Sequence, residues 1–153
     1  MKIGIQTWGS NGDVRPYIAL ADGLVKAGHD VTLAYTSPDG KSYEDLTKPL
    51  GIKSFSVYDK FELDFAVIAK IIETRNLYTQ WRLLFQHYFE PALTEMLAVS
   101  EDLCRNNDIV IGHYLAATLP FAAEAIGTPR VIVHLLPNAV ESKYISPAGI
   151  NFG

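Results

Sequence analysis

The stretch TWGSNGDVRPYIALADGLVKAGHDVTLA, residues 7–34, carries the information that decides the fold. It opens on the end of KIGIQTW, whose isoleucines and short length predict a buried strand. After a polar loop, apolar side chains recur at spacings of three and four residues, which predicts a helix with one buried face. Gly28 allows the left-handed turn that ends a helix, and DVTLAY predicts a second strand. A strand, a helix and a strand in this order predict two parallel strands joined by a right-handed crossover.

The rest of the chain continues this alternation. A short helix that ends at Gly51 precedes a third strand in IKSFSVY, and residues 61–106 have the pattern of helices only. DIVIGH, LAATLPFAAEAIG and PRVIVHLLP then predict a strand, a helix and a strand. We therefore expect an α/β fold, a Rossmann-like open parallel sheet with helices on both faces, built by residues 1–153.

The expected topology also indicates where a ligand binds. In open parallel sheets, ligands bind beyond the carboxyl ends of the strands. The loop after Trp8, the residues after Gly112 and the segment after Leu136 are therefore the places to search for a site.

Composition narrows the class of protein. Hydrophobic residues make up 48% of the chain and charged residues 20%, as in an ordinary globular domain. The net charge of −4 and the lack of a basic run argue against a nucleic-acid partner. No apolar stretch reaches the roughly 18 residues of a membrane-spanning helix, and the single cysteine, Cys104, cannot form an internal disulfide. We expect a cytoplasmic location, with peripheral attachment to a membrane as the alternative.

Asp13 stands where the loop meets the helix, and it has two interpretations. Aspartate is a preferred N-cap and is stabilised there by the helix dipole, so the residue pattern alone favours a capping role. The alternative is a general base that takes a proton from a substrate hydroxyl. The loop glycines, Gly9 and Gly12, do not complete a G-x-G-x-x-G dinucleotide fingerprint, and the second strand lacks the terminal acid of such sites.

The histidines and aromatic residues supply further candidates. His113 follows DIVIG at the expected carboxyl end of a strand, where a packing role and a functional role are about equally expected. No two of the four histidines have the spacing of metal ligands, so no metal site is expected. Aromatic residues are concentrated between Phe61 and Phe89. Most of them fit a core or a cover for the sheet, and a minority are candidates for lining an apolar pocket.

The motif GSNGDVRPYIALADGLVKAGHDVTLA, together with DIVIGHYLAATLPFAAEAIGTPRVIVHLLP, resembles the N-terminal half of GT-B fold glycosyltransferases. The nearest in kind are sterol glucosyltransferases and the antibiotic glycosyltransferases that modify glycopeptide and macrolide aglycones. The resemblance covers nearly the whole chain. It implies that Asp13 deprotonates an acceptor hydroxyl, which then attacks the anomeric carbon of a nucleotide-diphosphate sugar with inversion. His113 is its implied partner, because many relatives pair a loop histidine with an aspartate from a later strand.

The same resemblance implies that the chain binds a lipophilic hydroxylated acceptor, sterol-like or a natural-product aglycone. The residues expected to contact this acceptor are Ser10, Asn11, Gly12, Phe61, Phe65, Trp81, Phe85 and Pro137. The nucleotide sugar is a co-substrate bound mainly by a C-terminal lobe, and no cofactor is implied. We therefore expect an incomplete N-terminal acceptor-binding lobe that is inactive alone, with its donor-binding lobe in cis or in a separate chain.

Two functions of other classes stay open at this point. A non-catalytic module with a Rossmann-like fold would bind a small molecule or a protein partner without transferring a sugar. A nucleotide-dependent oxidoreductase is disfavoured, because the glycine fingerprint and the acid that would bind the ribose are both missing.

Overall fold

Five strands form one sheet in the order β3-β2-β1-β4-β5, and every neighbouring pair is parallel. The computed structural model describes residues 1–61 and 64–136. The strands are β1 (Lys2–Trp8), β2 (Asp30–Thr36), β3 (Lys53–Ser56), β4 (Ile109–His113) and β5 (Arg130–Val133). The α/β architecture expected from the sequence is therefore confirmed, and β1 occupies the centre of the sheet.

The helices cover both faces of this sheet. They are α1 (Asn11–Lys26), α2 (Glu44–Thr47), α3 (Phe65–Glu73), α4 (Leu77–Leu84), α5 (Leu93–Asn106) and α6 (Thr118–Ile126). A π-helical turn (Phe85–Phe89) and a 3-10 turn (Glu90–Ala92) join α4 to α5. Pro91 lies at the start of this second turn, where a proline costs no hydrogen bond.

Alternation along β1 produces two hydrophobic layers. Ile3 and Ile5 pack with the buried face of α1 and with the β2 side chains on the same face. Trp8 belongs to the opposite layer, which α5 and α6 cover. Because successive strand residues point to opposite faces, a central strand buried on both sides carries apolar residues throughout.

Gln6 and Thr7 are buried polar residues that interrupt this pattern in β1, and Gln6 joins the sheet to the helices. Gln6 donates through Nε2 to the carbonyl of Met96 at 3.1 Å, and its Oε1 accepts from the Ser100 hydroxyl at 2.6 Å. The Ser100 hydroxyl lies 2.8 Å from that of Thr118. These contacts satisfy groups that would otherwise be costly to bury, and they hold α5 and α6 in register with β1.

The chain departs from expectation near its described end. β5 stops at Val133, so His134 lies one residue beyond the strand and is exposed, although its place in the apolar run VIVHLL favours a core position. β5 is the edge strand of the sheet, so the residue that follows it has a neighbouring strand on one side only. Within residues 1–61 and 64–136, no helix is both long and apolar enough to span a bilayer.

Candidate active site

Asp13 is placed by the turn that leads from β1 into α1. The N-cap of α1 is Ser10, and Asp13 is the third helical residue, so the expectation that Asp13 is the N-cap is wrong. Its carboxylate Oδ2 accepts instead from the backbone N–H of Ser10 at 3.0 Å. This is the reciprocal contact of a capping box, in which the N3 side chain reaches back to the N-cap backbone. Asp13 therefore stabilises the helix start and still has about a third (33%) of its side chain exposed.

Gly9 makes this position of Asp13 possible. Its φ of +134° lies in a region that side-chain-bearing residues rarely adopt. A Cβ atom at Gly9 would overlap the carboxyl group of Asp13. The Gly9 N–H donates to the carbonyl of Thr36 at 3.0 Å, which ties the turn to the end of β2. The turn is therefore built around the close approach of a backbone and a carboxylate.

His113 ends β4 directly behind Asp13. Its side chain has no exposed surface, and its Nε2 lies 4.0 Å from Asp13 Oδ1. Neither ring nitrogen has a hydrogen-bond partner among the described residues, and 4.0 Å is too long for a hydrogen bond. Burial lowers the pKa of His113, and the nearby negative charge of Asp13 only partly opposes this effect. A neutral imidazole therefore faces the carboxylate.

Two tyrosines that the sequence analysis did not single out surround this pair. Tyr17 is buried one helical turn after Asp13, contacts the His113 ring edge-on at 5.5 Å, and donates to the carbonyl of Val133 at 2.9 Å. Tyr114 follows His113 and stacks on His134, with ring centroids 5.5 Å apart. Burial and the charge of Asp13 raise the pKa values of both tyrosines, so both are neutral hydroxyls at neutral pH. The spacing of four residues between Asp13 and Tyr17 was the available sequence signal.

A cleft of about 270 Å³ opens beside Asp13, at the carboxyl ends of β1 and β2. It is lined by Trp8, Gly9, Ser10, Asp13, Pro38, Asp39, Ile68, Leu84 and Tyr88. Trp8 stacks on Phe89 with ring centroids 4.1 Å apart, and this contact holds the Trp8 ring in place in the cleft wall. The lining is mostly apolar and carries few polar groups, as in typical small-molecule sites, although the volume is slightly below their usual range.

The loop residues expected to contact a ligand are only partly brought to this cleft. Ser10 lines it, whereas Asn11 and Gly12 are exposed in the first turn of α1 and do not. Pro137 lies outside the described residues. Because α1 starts three residues earlier than the sequence suggested, Asn11 and Gly12 are part of the helix and not of the loop.

The aromatic segment also reaches the cleft, but through other residues than those predicted. Phe61 packs between Tyr58 and Tyr88, while Phe65, Trp81 and Phe85 are exposed and are not among the lining residues. Three residues from the same helical region line the cleft in their place: Ile68, Leu84 and Tyr88. Helical spacing reveals which residues share a face, but it does not reveal which face the sheet covers.

Comparison with known proteins agrees with this arrangement. Residues 3–134 match the glycosyltransferase family 28 N-terminal domain. A sterol 3-beta-glucosyltransferase of Candida albicans is 33% identical over 137 residues, which cover 89% of this chain and 8% of that protein. One from Saccharomyces cerevisiae is 28% identical over 138 residues, or 89% of this chain and 11% of that protein. The chain thus spans only a small part of the length of these relatives.

Solved structures show the same fold. The calicheamicin glycosyltransferase CalG4 superposes with a TM-score of 0.64 and 17% identity, covering 94% of this chain and 34% of that one. The glycosyltransferase SnogD from Streptomyces nogalater gives a TM-score of 0.63 and 18% identity, covering 94% and 37%. At this level of identity the likeness concerns architecture, which is the Rossmann-like lobe of GT-B glycosyltransferases.

Proposed function

The chain belongs to the glycosyltransferase family 28 N-terminal domains, and from this premise we propose that it is the acceptor-binding part of an inverting glycosyltransferase. The complete protein would move a hexose from a nucleotide-diphosphate sugar to a hydroxyl of a lipophilic acceptor. The names of its relatives favour a sterol-like acceptor, and a natural-product aglycone is the alternative.

The observation that carries the proposal is the position of Asp13. Its carboxylate lies at the carboxyl end of the central strand, partly exposed, on the wall of a mostly apolar cleft. A lipophilic acceptor in this cleft would bring its hydroxyl to a group able to take the proton. Ligands of open parallel sheets bind at this edge.

The reaction would proceed as a single displacement. The acceptor hydroxyl gives its proton to Asp13 while its oxygen forms a bond to the anomeric carbon of the sugar. The bond from that carbon to the diphosphate oxygen breaks, and the nucleotide diphosphate leaves with the electron pair. A positioned base of this kind contributes roughly 10²–10⁴-fold in rate.

His113 would act through Asp13 and not on the acceptor. Its side chain is fully buried, so the acceptor meets only the carboxylate. The neutral ring, packed against Tyr17, forms a wall behind Asp13. We therefore assign His113 as a positioning residue.

The remaining parts of the proposed enzyme lie beyond this chain. A C-terminal lobe, in cis or as a separate chain, would hold the nucleotide sugar as co-substrate, and no cofactor enters the proposed reaction. The relatives are many times longer than the matched segment, which leaves room for such a lobe. For the complete protein we propose a cytoplasmic location, with peripheral attachment to a membrane, where it would meet its lipophilic acceptor, as the alternative.

Replacing Asp13 with Asn in the full-length protein tests the proposal. The Asn side-chain oxygen can still accept from the Ser10 N–H, so the helix start is retained, but the amide cannot take a proton. We expect kcat to fall at least ~100-fold with little change in KM for the acceptor. Asp22→Asn, in the same helix but away from the cleft, is the matched control. Near-normal turnover by the Asp13 variant would reduce this residue to a structural role.

A non-catalytic binding module is the second candidate. It is favoured because the described residues offer a cleft and a base, whereas we can assign none of them to binding of a nucleotide sugar. The 153-residue chain alone is expected to show no transfer from UDP-glucose to lipophilic alcohols. If the full-length protein is equally inactive while still binding such alcohols, the binding module is the better description.

A further inference from the structure

A second carboxylate lines the cleft, and the proposed reaction does not use it. Asp39 follows β2 as Asp13 follows β1, and only 15% of its side chain is exposed. Among the described residues that line the cleft, Asp13 and Asp39 are the only charged ones. An acceptor with a single hydroxyl would need one of them, so the other must meet something else.

The local sequence fixes Asp39 in this position. Residues 37–40 read SPDG, and the Gly40 N–H donates to the carbonyl of Ser37 at 3.0 Å. This is a β-turn with proline at its second position and glycine at its fourth, both favoured there. The turn presents Pro38 and Asp39 together as one wall of the cleft.

Two neighbours keep Asp39 ionised and leave it able to bind a ligand. The Ser37 hydroxyl donates to Oδ1 at 2.6 Å, and the Lys41 ammonium lies 2.8 Å from Oδ2. Burial raises the pKa of Asp39, but the hydrogen bonds from Lys41 and Ser37 outweigh this effect and leave it below its usual value. An ionised carboxylate has about four acceptor positions. The Ser37 hydroxyl and the Lys41 ammonium occupy two of them and the Lys41 backbone N–H contributes a third contact, so Asp39 can accept a further hydrogen bond but cannot donate one.

A purely structural ion pair explains this arrangement less well. An ion pair whose lysine is largely exposed contributes little to the free energy of unfolding. Desolvating a carboxylate is costly even when it is paired, so a group that only held Lys41 would be expected on the open surface. The Asp39 carboxylate lies on the mostly apolar wall of the cleft, while the Lys41 side chain is 54% exposed.

We propose that Asp39 is a specificity-determining residue that accepts a hydrogen bond from a second donor group on the acceptor. The preferred acceptor is then a lipophilic molecule with two hydroxyls, one offered to Asp13 and one to Asp39. A compound with one hydroxyl is the poorer substrate. This inference rests on the proposed function, because it assigns the acceptor class of the same cleft.

The test uses the full-length protein, UDP-glucose and a set of small alcohols that fit the cleft. Naphthol is the monohydroxy reference, and it is compared with dihydroxynaphthalenes that differ in the position of the second hydroxyl. The matching methoxynaphthols keep the second oxygen but lack its hydrogen. We expect at least one diol to exceed both naphthol and its methoxy counterpart about tenfold in kcat/KM, mainly through KM. A hydrogen bond to a charged group commonly accounts for a factor of this size.

Asp39→Asn then identifies the residue responsible. The amide can donate as well as accept, so the variant should lose the preference for the diol over the methoxy compound. Asp45→Asn, an exposed position in α2, is the matched control and should keep the wild-type preference. Thermal unfolding of both variants checks that they are folded.

The possible outcomes separate this inference from the proposed function. Transfer to naphthol without any advantage for a diol, in the wild-type protein, overturns the role of Asp39 alone, and this result needs no variant. A diol preference that survives Asp39→Asn also overturns it. A wild-type protein that binds these compounds but transfers no glucose to any of them contradicts the proposed function itself.

Discussion

Two regions face each other across the cleft, and they are specified in different ways. In the turn from β1 into α1, short-range contacts between Gly9, Ser10 and Asp13 fix a carboxylate within a few residues of sequence. In the pair of helices α3 and α4, apolar side chains that share a helical stripe are divided between the cleft wall and the surface. The reactive group is thus set by local geometry, whereas the ligand-contacting surface is set by how helices pack on a distant sheet.

The clearest contrast lies within α4 itself. Leu83 is 7% exposed, whereas Leu77 is 48% exposed and Trp81 is 52% exposed. All three are large apolar residues on one eight-residue helix. We therefore expect the side toward the core to contribute most of the stability that α4 provides.

The largest expected effect tests this division directly. Leu83→Ala should lower the free energy of unfolding by about 3 kcal/mol, because it removes buried methyl groups and leaves a cavity. Leu77→Ala, on the exposed side of the same helix, should change it by less than about 1 kcal/mol. Denaturant unfolding of both variants measures the difference. Equal losses would mean that both sides of α4 are covered, and the contrast would be lost.

The second prediction concerns the turn. Gly9→Ala should cost about 2 kcal/mol of stability, because alanine is strained at this backbone conformation and its Cβ displaces the Asp13 carboxylate. A base displaced by about 1 Å can lose on the order of 100-fold in rate, so the full-length variant should also be nearly inactive. Gly23→Ala, in a helix position with open space, is the control. A stable and active Gly9→Ala variant would show that the close approach is not needed.

These two cases explain how much the sequence could reveal. The order of strands and helices, the buried face of α1 and the glycine turn at Gly28 all follow from local periodicity, and the structure confirms them. The approach of His113 to Asp13 depends on β4 pairing with β1 across about 100 residues. The sequence predicted a pair but no contact, because such pairing is not encoded in any local pattern.

The cleft lining was harder to predict for the same reason. Ser10 and Asp13 are local to the turn and were identified from the sequence. Asp39 was not predicted as a lining residue, although the SPDG turn marks a fixed carboxylate at the end of a strand. Leu84 and Trp81 lie on one apolar stripe, but only Leu84 reaches the cleft. Whether Phe65, Trp81 and Phe85 contact an acceptor stays a prediction.

The third prediction concerns the pH dependence of stability that follows from the burial of His113 next to Asp13. Because burial lowers the pKa of His113 in the folded state, the unfolded chain takes up a proton first as the pH falls below about 6.5. The folded state therefore loses stability from that pH downward, until the lowered pKa of the folded state is reached. Unfolding free energies measured from pH 8 to pH 5 should show this loss in the wild type. The loss should be smaller in His113→Phe, which cannot titrate, and an identical pH dependence in both proteins would contradict the assignment.

The smallest expected effect lies on the outer side of α4. Trp81→Ser should change the free energy of unfolding by less than about 0.5 kcal/mol, because half of the indole surface is already in water and its neighbours on that side are exposed as well. The role of Trp81 in function is tested separately, by kinetics of the full-length protein. If Trp81 contacts the acceptor, as the sequence predicts, the variant should raise KM for naphthol and leave kcat unchanged, because an apolar contact binds the ground state and the transition state alike. Tyr78→Ser, an exposed neighbour on the same helix, shows what the loss of any surface aromatic does. An unchanged KM would remove Trp81 from the acceptor site, and a stability loss above 1 kcal/mol would show that this side of α4 is packed against another part of the protein.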